Sequence, residues 1–185
     1  MKHRRFPFAR AVAAAVLIPL ILVVAGCKTP SDDEVKKSVE IVGLESKWVA
    51  KEYKTWPHPK LTLVPTITFR VKNLTSAPLT FVNFNALFKE MNAVENNGDN
   101  FLSAIRDKGI LPGELSDPIF MKSNFGVEGT SLASFKDNPS WKTWVVKLFV
   151  QWKGSHHVPV VNWTVVSRTI DFKEDAPLPP KDVKK

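Results

Sequence analysis

Between residues 39 and 172 the apolar side chains come in short runs, and within the runs they alternate with polar ones. Leu61, Leu63, Pro65, Ile67, Phe69 and Val71 fall on one parity, Thr62, Thr66, Thr68, Arg70 and Lys72 on the other. Successive side chains of an extended chain point to opposite faces, so this run predicts a half-buried strand. Asn73-Leu74-Thr75-Ser76-Ala77-Pro78 is turn chemistry. The next run sets Val82, Phe84, Ala86 and Phe88 against Asn83, Asn85 and Lys89, and the two together predict a hairpin.

Residues 92–107 are polar apart from Phe101, Leu102 and Ile105, which predicts a long loop with one helical turn. After the turn Leu111-Pro112-Gly113-Glu114, the residues Leu115, Ile119, Met121 and Phe125 suggest a strand made irregular by Pro118 and closed by Gly126-Val127-Glu128-Gly129. Trp144, Val146, Leu148, Val150 and Trp152 form a second long alternating run, turned by Lys153-Gly154-Ser155. In the last run Val161, Trp163 and Val165 share one face, and a bulge near Ser167 would return Ile170 and Phe172 to the core. The expected fold is all-β, about seven strands in an immunoglobulin-like antiparallel β-sandwich, with no amphipathic helix of length. A single cysteine excludes the inter-sheet disulfide of antibody domains. Aromatic burial, from twelve Phe and six Trp, must supply the core instead.

The start of the chain has a different pattern. Basic residues (Lys2, Arg4, Arg5, Arg10) precede an apolar run over residues 11–25, which ends in small residues at Gly26-Cys27. That is the layout of an export signal. At about fifteen residues, interrupted by Pro19, the run is short of the roughly twenty that span a bilayer. Cys27 is the only cysteine, so it has no intramolecular disulfide partner, and a free thiol is unusual in an exported protein.

Val24-Ala25-Gly26-Cys27 resembles the lipobox of bacterial lipoproteins. The resemblance implies cleavage before Cys27, acyl chains on Cys27, and a membrane as the first partner of the mature chain. More than one acyl chain suffices for stable anchoring. Lys28 stands where many inner-membrane lipoproteins carry aspartate, so outer-membrane sorting, facing the periplasm, is the expectation. The organisation read from the chain is a signal at 1–26, a lipidated flexible tether at 27–38, a β-sandwich domain at 39–173, and a Pro- and Lys-rich tail at 174–185.

A second resemblance lies in Phe69-Arg70-Val71-Lys72-Asn73 with its turn, followed by Val82-Asn83-Phe84-Asn85-Ala86-Leu87-Phe88. This is similar to the FxLYD-type and related immunoglobulin-like domains of bacterial lipoproteins, in which a strand ending in Val-x-Asn leads through a polar turn to a strand ending in an aromatic. Phe88-Lys89-Glu90 stands where that pattern has Tyr-Asp. The resemblance implies a fold and assigns no activity.

Charge narrows the partners. Residues 1–26 carry four of the 26 Lys and Arg and none of the 18 Asp and Glu, so the remainder holds 22 against 18, a net +4. That is too thin for the basic stripe a phosphate backbone needs, and nucleic acid is not expected as a partner.

No phosphate loop, nucleophile elbow, HExxH or paired-Cys spacing occurs, so no catalytic residue, metal or cofactor is assigned. His156 and His157 are adjacent and would point apart on a strand. His58 sits between two prolines, and Asp99, Asp107, Glu114 and Asp117 lack the spacing of a calcium loop; solvated loops explain all of them. Trp56 beside Pro57 and Trp141 after Pro139-Ser140 are candidate ligand-binding residues, an aromatic platform for a sugar or peptide if both lie exposed on loops. Core or edge-strand cover is the plainer role for all six tryptophans. The expected function is a non-catalytic envelope module that binds a protein partner, with carbohydrate or peptidoglycan-fragment binding through Trp56 and Trp141 as the alternative.

Overall fold

A computed structural model describes residues 29–136, 138–139 and 141–174. Residues 1–26, expected to form the export signal, together with Cys27 and the chain beyond residue 174, lie outside the described residues. The first element is a helix, α1 (Asp32–Ser38), in the stretch expected to be flexible tether. Its cause is local: the Ser31 hydroxyl accepts from the Glu34 N–H, and the Glu34 carboxylate accepts from the Ser31 N–H at 2.7 Å. This capping box, with Asp32, Asp33 and Glu34 in the first turn and Lys36 and Lys37 in the last, suits both the orphan donors and the helix dipole. Val35 is fully buried against the sandwich. Residues 31–38 therefore belong to the folded body, which leaves residues 28–30 between it and Cys27.

The strands follow in chain order: β1 (Val39–Lys54), β2 (Lys60–Asn73), β3 (Val82–Glu90), β4 (Gly98–Ile105), β5 (Ile119–Lys122), β6 (Val127–Gly129), then helix α2 (Leu132–Lys136), β7 (Trp144–Trp152), β8 (Val158–Val165) and β9 (Ile170–Asp171). One sheet has the order β5-β2-β1-β9, with β6 also on β2; the other has the order β4-β3-β7-β8. All pairings are antiparallel except β1 with β9. The chain makes the hairpin β1-β2, crosses to make β3-β4, returns to β5 and β6, and crosses again for β7-β8. With β1, β2 and β5/β6 as strands A, B and E, and β3, β4, β7 and β8 as C, C′, F and G, this is an immunoglobulin-like sandwich.

Nine strands are present among the described residues where about seven were expected. The run 98–105, expected to be a loop, is the edge strand β4. β5 and β6 are one strand divided by a bulge, because six residues from Lys122 to Val127 oppose four from Thr66 to Leu63. A Cβ on Gly126 would lie 1.9 Å from the Leu63 carbonyl oxygen, so only glycine lets the bulge approach β2.

β8 also departs from simple alternation. It carries two register shifts against β7, and each slips the parity of the side chains. Trp163 and Val165, expected inside with Val161, are consequently exposed on the outer face, and Val166 is buried in their place. Beyond it the chain changes sheets: Thr169 C=O accepts from Trp48 N–H at 2.8 Å and Ile170 pairs with Trp48. The crossover does what the expected bulge at Ser167 would have done, and Ile170 and Phe172 pack against the core.

The core lies between the sheets, with Leu61, Leu63, Ile67, Phe69 and Val71 facing Phe84, Phe88, Val146, Leu148 and Val150. Phe69 and Phe84 meet edge to face at 5.2 Å. β2 is buried on its outer face as well, at Thr62, Val64 and Thr66, and is not half-buried as its alternation suggests. Long side chains from its neighbours roof it over. Lys51 Nζ on β1 reaches the Asn124 carbonyl past the bulge, and Lys60 pairs with both Glu52 on β1 and Glu128 on β6.

The two ends of the sandwich differ. At the proximal end, where the described chain enters, α1 packs against β1, β7 and β8, beside the β2–β3 and β4–β5 connections. At the distal end, β1 (16 residues, about 50 Å long) and β2 carry a hairpin loop past the start of β7. Phe135 of α2 and the ring of Trp141 fill the space beneath that overhang, against Trp48.

Candidate functional site

The distal end brings together loops from three parts of the chain. Residues 55–59 close the β1–β2 hairpin and hold Trp56 at 83% exposure, joined to Pro57 by a cis peptide. Beside it lies a hollow of about 500 Å³ lined by Lys54, Pro57, His58, Pro59, Lys60 and Glu128. The ammonium of Lys60 bridges two carboxylates here, Glu128 at 2.7 Å and Glu52 at 3.3 Å. Hydrogen bonds to Glu128 and then Glu52 raise the pKa of Lys60, and those from Lys54 and Lys60 lower that of Glu52.

Two further clefts meet at Glu90. One, of about 530 Å³, runs along the β3–β4 loop past Met91, Asn92 and Ala93 to Lys142 and Thr143. The other, of about 420 Å³, passes Asn97 to the β5–β6 bulge and Trp144. Local hydrogen bonds fix this geometry. Glu90 N–H donates to Asn97 Oδ1 at 2.9 Å, Asn97 N–H to Phe88 C=O at 3.0 Å, and Met91 N–H to Thr143 C=O at 2.8 Å. Gly98 lets β4 approach the bulge, since a Cβ there would meet the Ser123 hydroxyl at 2.2 Å. Glu90 pairs with Lys142 at 3.2 Å, and Met91 and Phe125 stand exposed beside the clefts. Together they form a shallow groove of mixed polarity with one ion pair at its centre, which suits binding of an extended segment.

Of the two tryptophans singled out in the sequence, only Trp56 presents its ring to solvent. Trp141 turns inward: it meets Trp48 edge to face at 5.6 Å and Phe135 at 5.7 Å, with the Arg168 guanidinium over its ring at 5.8 Å. No ring contact joins it to Trp56 among the described residues, so the expected platform loses one ring to the core. Trp144 also meets Trp48 at 5.6 Å. The indole N–H groups of Trp48, Trp141 and Trp144 are all buried without an acceptor among the described residues.

The remaining candidates are scattered. His58 lines the hairpin hollow, while His156 and His157 lie exposed in the β7–β8 turn, the latter with its ring 6.2 Å from Phe101. Asp107, Glu114 and Asp117 are exposed on the proximal β4–β5 connection, and Asp99 is exposed on β4. Among the described residues no three His, Cys, Asp or Glu groups are placed to hold a metal ion. No helix there is long and apolar enough to cross a membrane. Sequence reading missed the Glu90–Lys142 pair, the two clefts and the outward Trp163. The Trp163 ring lies under Lys89 Nζ at 4.7 Å.

No protein-family model matches the chain, and no curated protein does. Among solved structures, the chain is similar to the ligand binding region of serine-glutamate repeat protein A of Enterococcus faecium. That match has 16% identity and a TM-score of 0.26, over 71% of this chain and 99% of the other.

Proposed function

We propose that the chain is a cell-envelope lipoprotein, anchored by acylated Cys27 in the outer membrane and facing the periplasm. Its sandwich acts without catalysis as a protein-interaction or scaffolding module, and the distal end is the binding face. One observation carries this reading: the described chain enters at the end opposite the clefts and Trp56. An anchor at Cys27 then turns the groove around Glu90 away from the bilayer, toward the periplasmic space.

A photo-crosslinking residue placed at Met91 or Phe125 in the producing cell should give discrete adducts that a Glu90→Lys substitution diminishes. The same residue at Phe120, on the exposed side of β5, should give none. Adducts confined to position 120 would contradict the assignment. The exposure of Trp56 also favours a second reading, capture of a glycan or peptidoglycan fragment by that ring alone. Soluble muropeptides should then change the fluorescence of the native chain and leave a Trp56→Phe variant unaffected.

A further inference from the structure

The proximal end carries four exposed apolar side chains on two connections that are bonded to each other. Leu74 and Phe81 bracket the β2–β3 turn, and Leu111 and Leu115 lie on the β4–β5 connection; each is about half exposed or more. Leu74 N–H donates to Ser38 C=O at the end of α1. Leu79 and Ile110 exchange both backbone hydrogen bonds, at 2.9 and 3.0 Å, and Leu115 pairs with Lys72. All four residues are thus held by one rigid unit beside the helix.

Phe81 is the least expected of the four. Its φ of +54° lies in the left-handed region that a bulky side chain rarely enters, and its ring is 63% exposed. The backbone is strained and the ring gains no burial within the fold. Strain of this kind that persists without a packing return points to a use outside the fold.

The chain length fixes what lies opposite. Cys27 is four residues from Ser31, the cap of the docked helix, and four extended residues reach at most about 14 Å. A bilayer's interfacial zone is itself roughly 5–8 Å deep on each side. An anchor at Cys27 therefore holds the proximal end within about 10 Å of the headgroup surface even with the link fully extended.

We propose that the proximal end is a bilayer-docking surface, with Leu74, Phe81, Leu111 and Leu115 resting in the headgroup layer of the membrane that holds the anchor. The inference rests on the lipoprotein reading and adds an orientation to it. Docking is apolar in character, because the local cations Lys36, Lys37, Arg106, Lys108 and Lys153 are offset by Asp32, Asp33, Asp107, Glu114 and Asp117. It should depend little on anionic lipid.

The test uses the full acylated chain in vesicles of phosphatidylethanolamine and phosphatidylglycerol containing a nitroxide-labelled lipid. Acylation consumes the Cys27 thiol, so Phe81→Cys, Leu111→Cys and Trp56→Cys variants each accept one fluorophore. Labels at 81 and 111 should be quenched several-fold more than the label at 56, whatever the phosphatidylglycerol fraction. Equal quenching at all three positions, on protein that floats with the vesicles, overturns the docking and leaves the anchor standing. Protein that fails to float and shows an unmodified Cys27 by mass overturns the lipoprotein reading itself. Labels at 81 and 111 that are shielded in native envelope membranes but not in protein-free vesicles assign the surface to a protein partner and overturn the proposal.

Discussion

The two ends of this sandwich expose similar apolar side chains and are built by different means. At the proximal end the loops are tied together through a buried amide. Asn73 is fully buried; its Nδ2 donates to the carbonyls of Ala77 at 2.9 Å and Ile110 at 2.8 Å, and its Oδ1 accepts from Thr75 N–H at 2.8 Å. Its backbone adds bonds to Glu114 and Gly113. One residue thereby fixes both connections and the strand end. At the distal end the loops are held by local bonds and exposed ion pairs around hollows of about 420, 500 and 530 Å³, against hollows of about 340 and 400 Å³ at the proximal end. A surface that rests against a bilayer gains from rigidity, and one that admits a partner gains from loops that can adjust.

The comparison can be broken first at its rigid end. Asn73→Leu removes the central donor pair and leaves neighbouring backbone groups poorly matched, at roughly 1–3 kcal/mol for each buried group left unpaired. A loss of about 3 kcal/mol is expected, read as a lower urea midpoint with an unchanged slope. Gly126→Ala is the one distal change expected to cost comparably. Its Cβ meets Leu63 backbone that cannot swing away, and overpacking of this kind costs about 1–3 kcal/mol. Trp56→Ala, by contrast, should stay within about 0.5 kcal/mol of the native chain, as exposed substitutions usually do.

A smaller effect is expected from Ser31→Ala, which removes the cap of α1 at a cost of about 1 kcal/mol. Amide exchange should rise over residues 32–38 and stay unchanged in β2 and β7, because the helix opens without the sandwich. The smallest effect belongs to the hairpin charges. Glu52 has a lowered pKa, so its contribution is present above the ordinary carboxylate value and is lost as pH falls through the lowered one. Lys60 has a raised pKa; its contribution is full below the ordinary lysine value and is lost as pH rises through the raised one. Lys60→Met should flatten the melting temperature against pH at both extremes, and 1 M salt should do the same to the native chain.

Much of the fold is legible where one local rule operates alone. The alternation of 61–71, 82–88 and 144–152 places β2, β3 and β7 and sets their inward faces correctly, because no bulge interrupts those stretches. β4 escapes the same reading because it is an edge strand whose only fully buried positions are Gly98 and Ile105, so its pattern is faint. β8 misleads because its two bulges turn Trp163 outward. α1 carried its signal openly in Ser31-x-x-Glu34, but a polar composition conceals a helix that docks through Val35 alone among its apolar residues. The Val-x-Asn ending noticed at residues 71–73 has its physical reason in the Asn73 hydrogen bonds.

The candidate site is less legible because it is made by tertiary contact. Trp56 is readable as a loop residue from its flanking proline. The orientation of Trp141 depends on a partner 93 positions away, Trp48, and nothing in the local sequence encodes it. The clefts at Glu90 join residues 90–97, 125–128 and 142–144, which no spacing rule connects.

The account turns on Cys27, since both the outward groove and the bilayer contact follow from an anchor beside the proximal end. Mass spectrometry of the N-terminal peptide from protein made in its own host tests it most directly. The account predicts a chain that begins at Cys27 and carries acyl mass on that residue. A chain that begins elsewhere, or one with an unmodified thiol at position 27, would contradict it.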